Sequence, residues 1–136
     1  MGLAERRAAK EFETKRFPQY VADIEKAAGF AVPVEVAWEQ LAKEGESHLY
    51  DECWGKVYFE PLITALKSIT RDDMGKEALK AGLKKIQIQN TKGNYYGDGM
   101  PELAGGTLVL EHEPHSNVDN IDERATSITK ALEKGL

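Results

Sequence analysis

One cysteine cannot make an internal disulfide, and Cys53 is the only one in the chain. The opening "MGLAERRAAKEFETKRF" also lacks a charged stretch followed by an apolar one. Both absences point to a reducing, cytoplasmic location. No apolar run approaches the roughly 18 to 20 residues that a membrane span requires, so no membrane-integral role is expected. Gly2 would suit a myristoylation signal, but Arg6 stands where that signal needs Ser or Thr. Basic residues are the minority, 18 against 23 acidic ones for a net charge of -5, which argues against nucleic acid or an anionic membrane as a partner. HExxH, paired CxxC and EF-hand patterns are missing, and neither "GNYYGDG" nor "ELAGGT" has the form of a phosphate loop.

What is present suits one globular domain over residues 1–136: 41% of residues are hydrophobic and 30% charged. The charges are segregated. Residues 76–92 hold five lysines and one Glu, whereas residues 98–123 hold seven acids and no Lys or Arg. Such flanks suit pairing within the molecule or between two copies.

Ala4, Ala8 and Phe12, then Phe17, Val21, Ile24 and Ala28, recur at helical spacing, with Pro18 predicting a kink or a break and Gly29 a stop. "VPVEVAWEQL" alternates as a strand with Val34, Val36 and Trp38 on one side. Leu49, Cys53 and Val57, and after Pro61 Leu62, Leu66 and Ile69, predict two helices or one bent helix. Thr70 and Asp73 resemble a capping box for a short helix ending at Gly82. "KKIQIQN" and "TLVLEHE" read as further strands, separated by a glycine-rich loop from Thr91 to Gly106. Val118, Ile121, Ala125, Ile128 and Leu132 predict a final amphipathic helix; Ser116, Asn117, Asp119 and Asn120 are all competent caps, Asn120 with Glu123 matches a capping box, and a Ser or Asp cap would start the helix earlier. The order α-β-α-α-β-β-α predicts an α+β domain, a small three-stranded and mainly antiparallel sheet with helices packed on one face.

Two histidines fall in "LEHEPHSNVDNIDER". Strand alternation puts Leu108, Leu110 and His112 on one side and Val109, Glu111 and Glu113 on the other, while Pro114 leaves His115 on a turn. His48 and Glu52, four apart on an expected helix, complete a possible metal set of His48, Glu52, His112 and His115 for zinc or a similar ion. Asp98 would be the base of a metal-dependent hydrolase. Helix capping and the helix dipole account for most polar residues after Pro114 without any ligand. Cys53 and His48 stand about 140° apart around a helix, a poor geometry for a nucleophile and its base.

Tyr50, Trp54 and Tyr58 repeat every four residues beside Phe59, and Tyr95 and Tyr96 adjoin the "GDG" turn. Either set suits core or a protein contact, since Tyr and Trp are enriched where proteins bind. Tyr95 and Tyr96 with Lys84, Lys85 and Lys92 make only a thin nucleic-acid surface. The expectation is a non-catalytic cytoplasmic protein-interaction domain without a cofactor, contacting a protein partner or a second copy through Tyr50, Trp54, Tyr58, Phe59, Tyr95 and Tyr96. The metal-dependent hydrolase is the rival.

Overall fold

Proline and glycine divide the amino-terminal helical segment where the residue pattern implies. The structure is a computed structural model that describes residues 2–136. Helix α1 (Leu3–Lys15) gives way to α2 (Phe17–Ala28), with Pro18 in the first turn of α2, where its missing N–H costs no helical hydrogen bond. Gly29 closes α2 at φ +88°, a left-handed conformation natural to glycine.

Strand β1 (Val34–Val36) is shorter than its alternation implies, because Trp38 opens the short helix α3 (Trp38–Leu41). Its indole turns onto Phe17 and Trp54, at ring-centre distances of 5.1 and 5.6 Å, and aromatic burial outweighs strand continuation.

The segment around Pro61 is one bent helical run. A 3₁₀ turn, Ser47–Leu49, leads into α4 (Tyr50–Trp54), a π-helical turn (Gly55–Phe59) and α5 (Glu60–Ile69). In a regular α-helix the Pro61 ring would press on the Val57 carbonyl, and the wider turn relieves that pressure. Its consequence falls on Lys56. The Glu60 amide bonds the Gly55 carbonyl, and Pro61 has no N–H to offer, so the helix leaves the Lys56 carbonyl unpaired. Arg124 Nη2 donates to that carbonyl at 3.1 Å, and the same guanidinium donates to Asn117 O and Val118 O, each at 2.6 Å. Arg124 is 1% exposed, so one buried side chain serves three backbone acceptors, of which only Asn117 O has another donor, the Asn120 amide.

The cap of the next helix lies two residues beyond the expected one. Asp72, not Thr70, caps α6 (Asp73–Gly82), accepting the Gly75 amide at 2.8 Å. The Thr70 hydroxyl instead bonds the carbonyls of Ala27 and Leu66, tying α5 to α2. Likewise Asn120 precedes α7 (Ile121–Gly135) without a side-chain capping bond. Its amide donates to the carbonyl of Asn117, which sits at φ +52°, and this backbone turn takes the place of the capping box.

The sheet corrects the sequence expectation in strand number and direction. Strands β2 (Lys85–Gln89), β3 (Pro101–Ala104) and β4 (Thr107–Glu111) join β1 in a four-stranded mixed sheet of order β1-β2-β4-β3. The pairs β1/β2 and β2/β4 are parallel, and only β3/β4 is antiparallel. A parallel pair needs a long crossover, and helices α3 to α6 supply it between β1 and β2. The fourth strand lies within the glycine-rich segment that reads as loop. Gly105 and Gly106, at φ +60° and +84°, form the two-residue turn that returns β4 between β2 and β3.

The fold is thus α+β, with one sheet face in the core. Ile86, Ile88, Leu108 and Leu110 are fully buried with Leu62 and Leu66 of α5 and Ile128 and Leu132 of α7. The opposite face carries Glu35, Gln87, Gln89, Val109 and Glu102, all partly or fully exposed. Among the described residues, no helix is long and apolar enough to cross a membrane.

Two substitutions test this architecture by urea denaturation. A Cβ at Gly75 would overlap the Ile69 carbonyl of α5, so Gly75→Ala destabilises the fold by about 1–3 kcal/mol although alanine is the better helix former. Arg124→Met strands the carbonyls of Lys56 and Val118, leaves Asn117 O with the Asn120 amide alone, and costs about 3 kcal/mol or more.

Candidate functional site

Because β1, β2 and β4 run parallel, their carboxyl ends lie along one edge of the sheet. Three connections leave that edge, after Val36, Gln89 and Glu111, and such an edge is where open sheets with parallel strands commonly bind ligands. Both histidines of "LEHEPHSNVDNIDER" are here. His112 is fully buried, as its place beside Leu108 and Leu110 requires. Its Nδ1 lies 2.6 Å from the Glu113 carbonyl, which can only accept, so Nδ1 carries the proton. The Tyr58 hydroxyl donates to the His112 carbonyl at 2.5 Å. Burial lowers the pKa of His112 below the ordinary histidine value and keeps the ring neutral, against the raising effect of the Glu113 carbonyl.

His115 stacks on Tyr50 with ring centres 5.9 Å apart, and its Nδ1 meets Glu46 Oε1 at 3.0 Å. Glu113 organises the turn between the two histidines: it accepts from Lys43 Nζ at 2.8 Å, from the His115 amide at 3.1 Å and from the Ser116 hydroxyl. Burial pushes the Glu113 carboxyl up, but hydrogen bonds from Lys43 and Ser116 outweigh it and hold the pKa below the usual carboxylate value.

The metal set expected from sequence does not assemble. His48 and Glu52 are exposed, on the 3₁₀ turn and α4, and Glu52 bonds Lys56 Nζ at 2.9 Å. His112 and His115 point into packed surroundings instead. Among the described residues, no three His, Cys, Asp or Glu side chains gather where they could hold a metal ion. Asp98 is exposed and accepts from the Ser127 hydroxyl at 3.2 Å.

The aromatic candidates divide sharply. Tyr50, Trp54, Tyr58 and Phe59 are at most 1% exposed and offer no surface to a partner. Tyr50 and Trp54 stack at 4.4 Å, and Phe59 stacks on Tyr20 at 4.7 Å. Their wide helical face is core because α1, α2 and α3 close over it. Tyr95 and Tyr96, by contrast, are 61% and 52% exposed, in a T-shaped pair.

The loop bearing them is held at several points. Asn94 Nδ2 donates to Tyr96 O at 2.8 Å and to Glu111 O at 3.1 Å, the Glu113 amide donates to Asn94 O at 2.6 Å, and Asn117 Nδ2 donates to Tyr95 O at 2.6 Å. The two tyrosines therefore stand out from an ordered backbone.

Sequence reading missed Glu111 as a feature of this edge. It is 4% exposed, and its carboxylate accepts from Gln89 Nε2 and Thr91 Oγ1, both at 2.5 Å, and from the Thr91 amide at 2.9 Å. Burial raises its pKa, but the bonds from Thr91 and Gln89 more than compensate and leave it below the ordinary value. Only the pairing of Gln89 opposite Glu111 brings these groups together. Arg124 did carry a sequence signal, since it lies on the apolar stripe between Ile121 and Ile128.

Comparisons of the chain with protein-family models, with curated proteins and with solved structures found no match.

The shifts fix the pH dependence of stability. His112 is depressed in the fold, so its contribution is full above its unfolded value, about 6.5, and falls as pH drops through the lower folded value. Glu111 and Glu113, also depressed, contribute fully above about 4.3 and lose that contribution at still lower pH. Urea midpoints measured against pH should decline in these two stages, and His112→Phe should flatten the first.

Proposed function

We propose that this chain is a non-catalytic cytoplasmic protein-interaction domain whose contact surface is the ordered loop presenting Tyr95 and Tyr96. The observation that supports the reading is the exposure of both rings, 61% and 52%, on a backbone pinned by Asn94 and Asn117. Tyrosine supplies large contact area at small entropic cost, and a preordered loop does not have to be fixed on binding. Tyr50, Trp54, Tyr58 and Phe59 act behind this surface by forming the core that supports it. The partner is another protein or a second copy of the chain.

The test compares the wild type with a Tyr95→Ala/Tyr96→Ala variant, whose urea midpoint should stay within about 0.5 kcal/mol because both rings are exposed. Immobilised wild type should retain a protein from lysate of the source cells that the variant does not, or light scattering should show a wild-type dimer that the variant loses. Equal retention by the two proteins, with both monomeric, would remove the proposal.

A further inference from the structure

The charge segregation of the sequence persists in the structure as two surfaces that do not meet. Helices α2, α5 and α6 border two contiguous recesses of 190 and 390 Å³, which share Lys26 and Thr70. Lys76 and Lys80 line the first and Lys67 the second, and among the described residues Asp23 is the only acid on their walls. Asp23 accepts from Gln19 Nε2 at 3.0 Å. All four lysines are exposed, and among the described residues none of them forms an ion pair.

The acidic flank surrounds the exposed tyrosines. Asp98, Asp122 and Glu123 are exposed and form no ion pair among the described residues, whereas Lys56 holds Asp119. A Cβ on Gly97, next to Tyr96, would lie 3.2 Å from Glu123 Oε1, and Asn117, just ahead of α7, holds the Tyr95 carbonyl. The two surfaces stand at opposite ends of α5 and α7, which pack side by side and run in the same direction. Arg124 of α7 reaches Lys56 O ahead of α5, and at the far end Glu133 and Leu136 line a cleft with Ser68 and Ile69. The helical run from Lys56 to Lys67 is about 15 Å long, a distance that side chains do not bridge and that salt screens. The flank therefore leaves the lysines of its own molecule free.

We propose that the groove lined by Lys26, Lys67, Lys76 and Lys80 receives the tyrosine loop and acidic flank of a second copy of this chain. The inference rests on the reading of the chain as an interaction domain and names the partner. Charge complementarity selects this occupant: four unpaired lysines face three unpaired acids, and Tyr95 and Tyr96 stand beside those acids to meet lysine stems and ammonium groups. With a net charge of -5, two copies repel one another except where a basic surface meets an acidic one, and that fixes their orientation. The contact is heterologous, so each copy keeps a free groove or a free loop, and association continues past the dimer unless a ring closes.

The test is sedimentation velocity on the full chain at rising concentration and two salt levels. The wild type should pass beyond a dimer at low salt and return toward monomer as salt is raised. Lys76→Glu/Lys80→Glu and Asp122→Lys/Glu123→Lys should each weaken association about tenfold or more. An equimolar mixture of these two variants should form a complex that stops at two copies, because the first keeps its loop and the second its groove. Far-UV circular dichroism checks that each variant folds, and Asp122→Asn/Glu123→Gln takes the place of the second if lysines disturb the first turn of α7. A wild type that stays monomeric, an oligomer indifferent to salt and to both variants, or a mixture that stays monomeric would overturn the proposal. Monomeric wild type whose Lys76 and Lys80 amide resonances move with poly-glutamate would assign the groove to another acidic protein and overturn the second copy. If the copies do not associate while the Tyr95→Ala/Tyr96→Ala variant still loses its lysate protein, only this inference falls. If the charge variants behave as expected while the tyrosine variant associates and retains proteins as the wild type does, the tyrosine reading falls, and with it the loop's part in the contact.

Discussion

The Arg124 guanidinium joins the parts of this molecule that local structure leaves apart. Pro61 makes the helix widen, the widened turn strands the Lys56 carbonyl, and Arg124 reaches it from α7 while also taking the carbonyls of Asn117 and Val118. A planar group with five donors can serve three acceptors that point from different segments, which an ammonium on a flexible stem does less well. The bond to Asn117 carries further, because the Asn117 side chain holds the carbonyl of Tyr95. A proline in one helix is thereby connected, through a buried arginine, to the placement of an exposed loop.

The parallel direction of β1, β2 and β4 supplies the other constraint. It sends three connections out of one sheet edge, and their polar groups must find partners there. Lys43, Glu46, Glu113, Ser116 and the Nδ1 of His115 bond one another across that edge, and Tyr50 packs beneath His115, while the Nε2 atoms of His112 and His115 are buried without a hydrogen-bond partner among the described residues. The histidines are absorbed by this packing. Glu111 stands apart, since its partners are all neutral and it borders open volume.

Legibility followed the range of the interactions concerned. The separation of His112 from Glu111 by strand alternation is a local property, and it survives intact: one side chain enters the core, the other turns to the outer face. The break near Pro18 and the stop at Gly29 are local too. Strand β3 escaped because four residues between glycine-rich turns bury only Pro101 and Leu103 partly, too little periodicity to stand out. The stripe of Tyr50, Trp54 and Tyr58 was legible as a helical face, but core and contact surface have the same composition, and only the cover provided by α1 to α3 separates them.

Composition, periodicity, proline and glycine by themselves determined an α+β chain, its helices and most of its strands, because those signals act over a few residues. Tertiary structure alone decided that the sheet is mixed with β4 between β2 and β3, since strand order depends on where the crossover helices pack. It also decided that His48 stays apart from the buried His112, and that Glu111 meets Gln89 and Thr91 beside an open recess. Contacts between residues 20 to 70 positions apart have no local pattern to announce them, and the burial that gives each its chemistry exists only once the sheet and helices have packed.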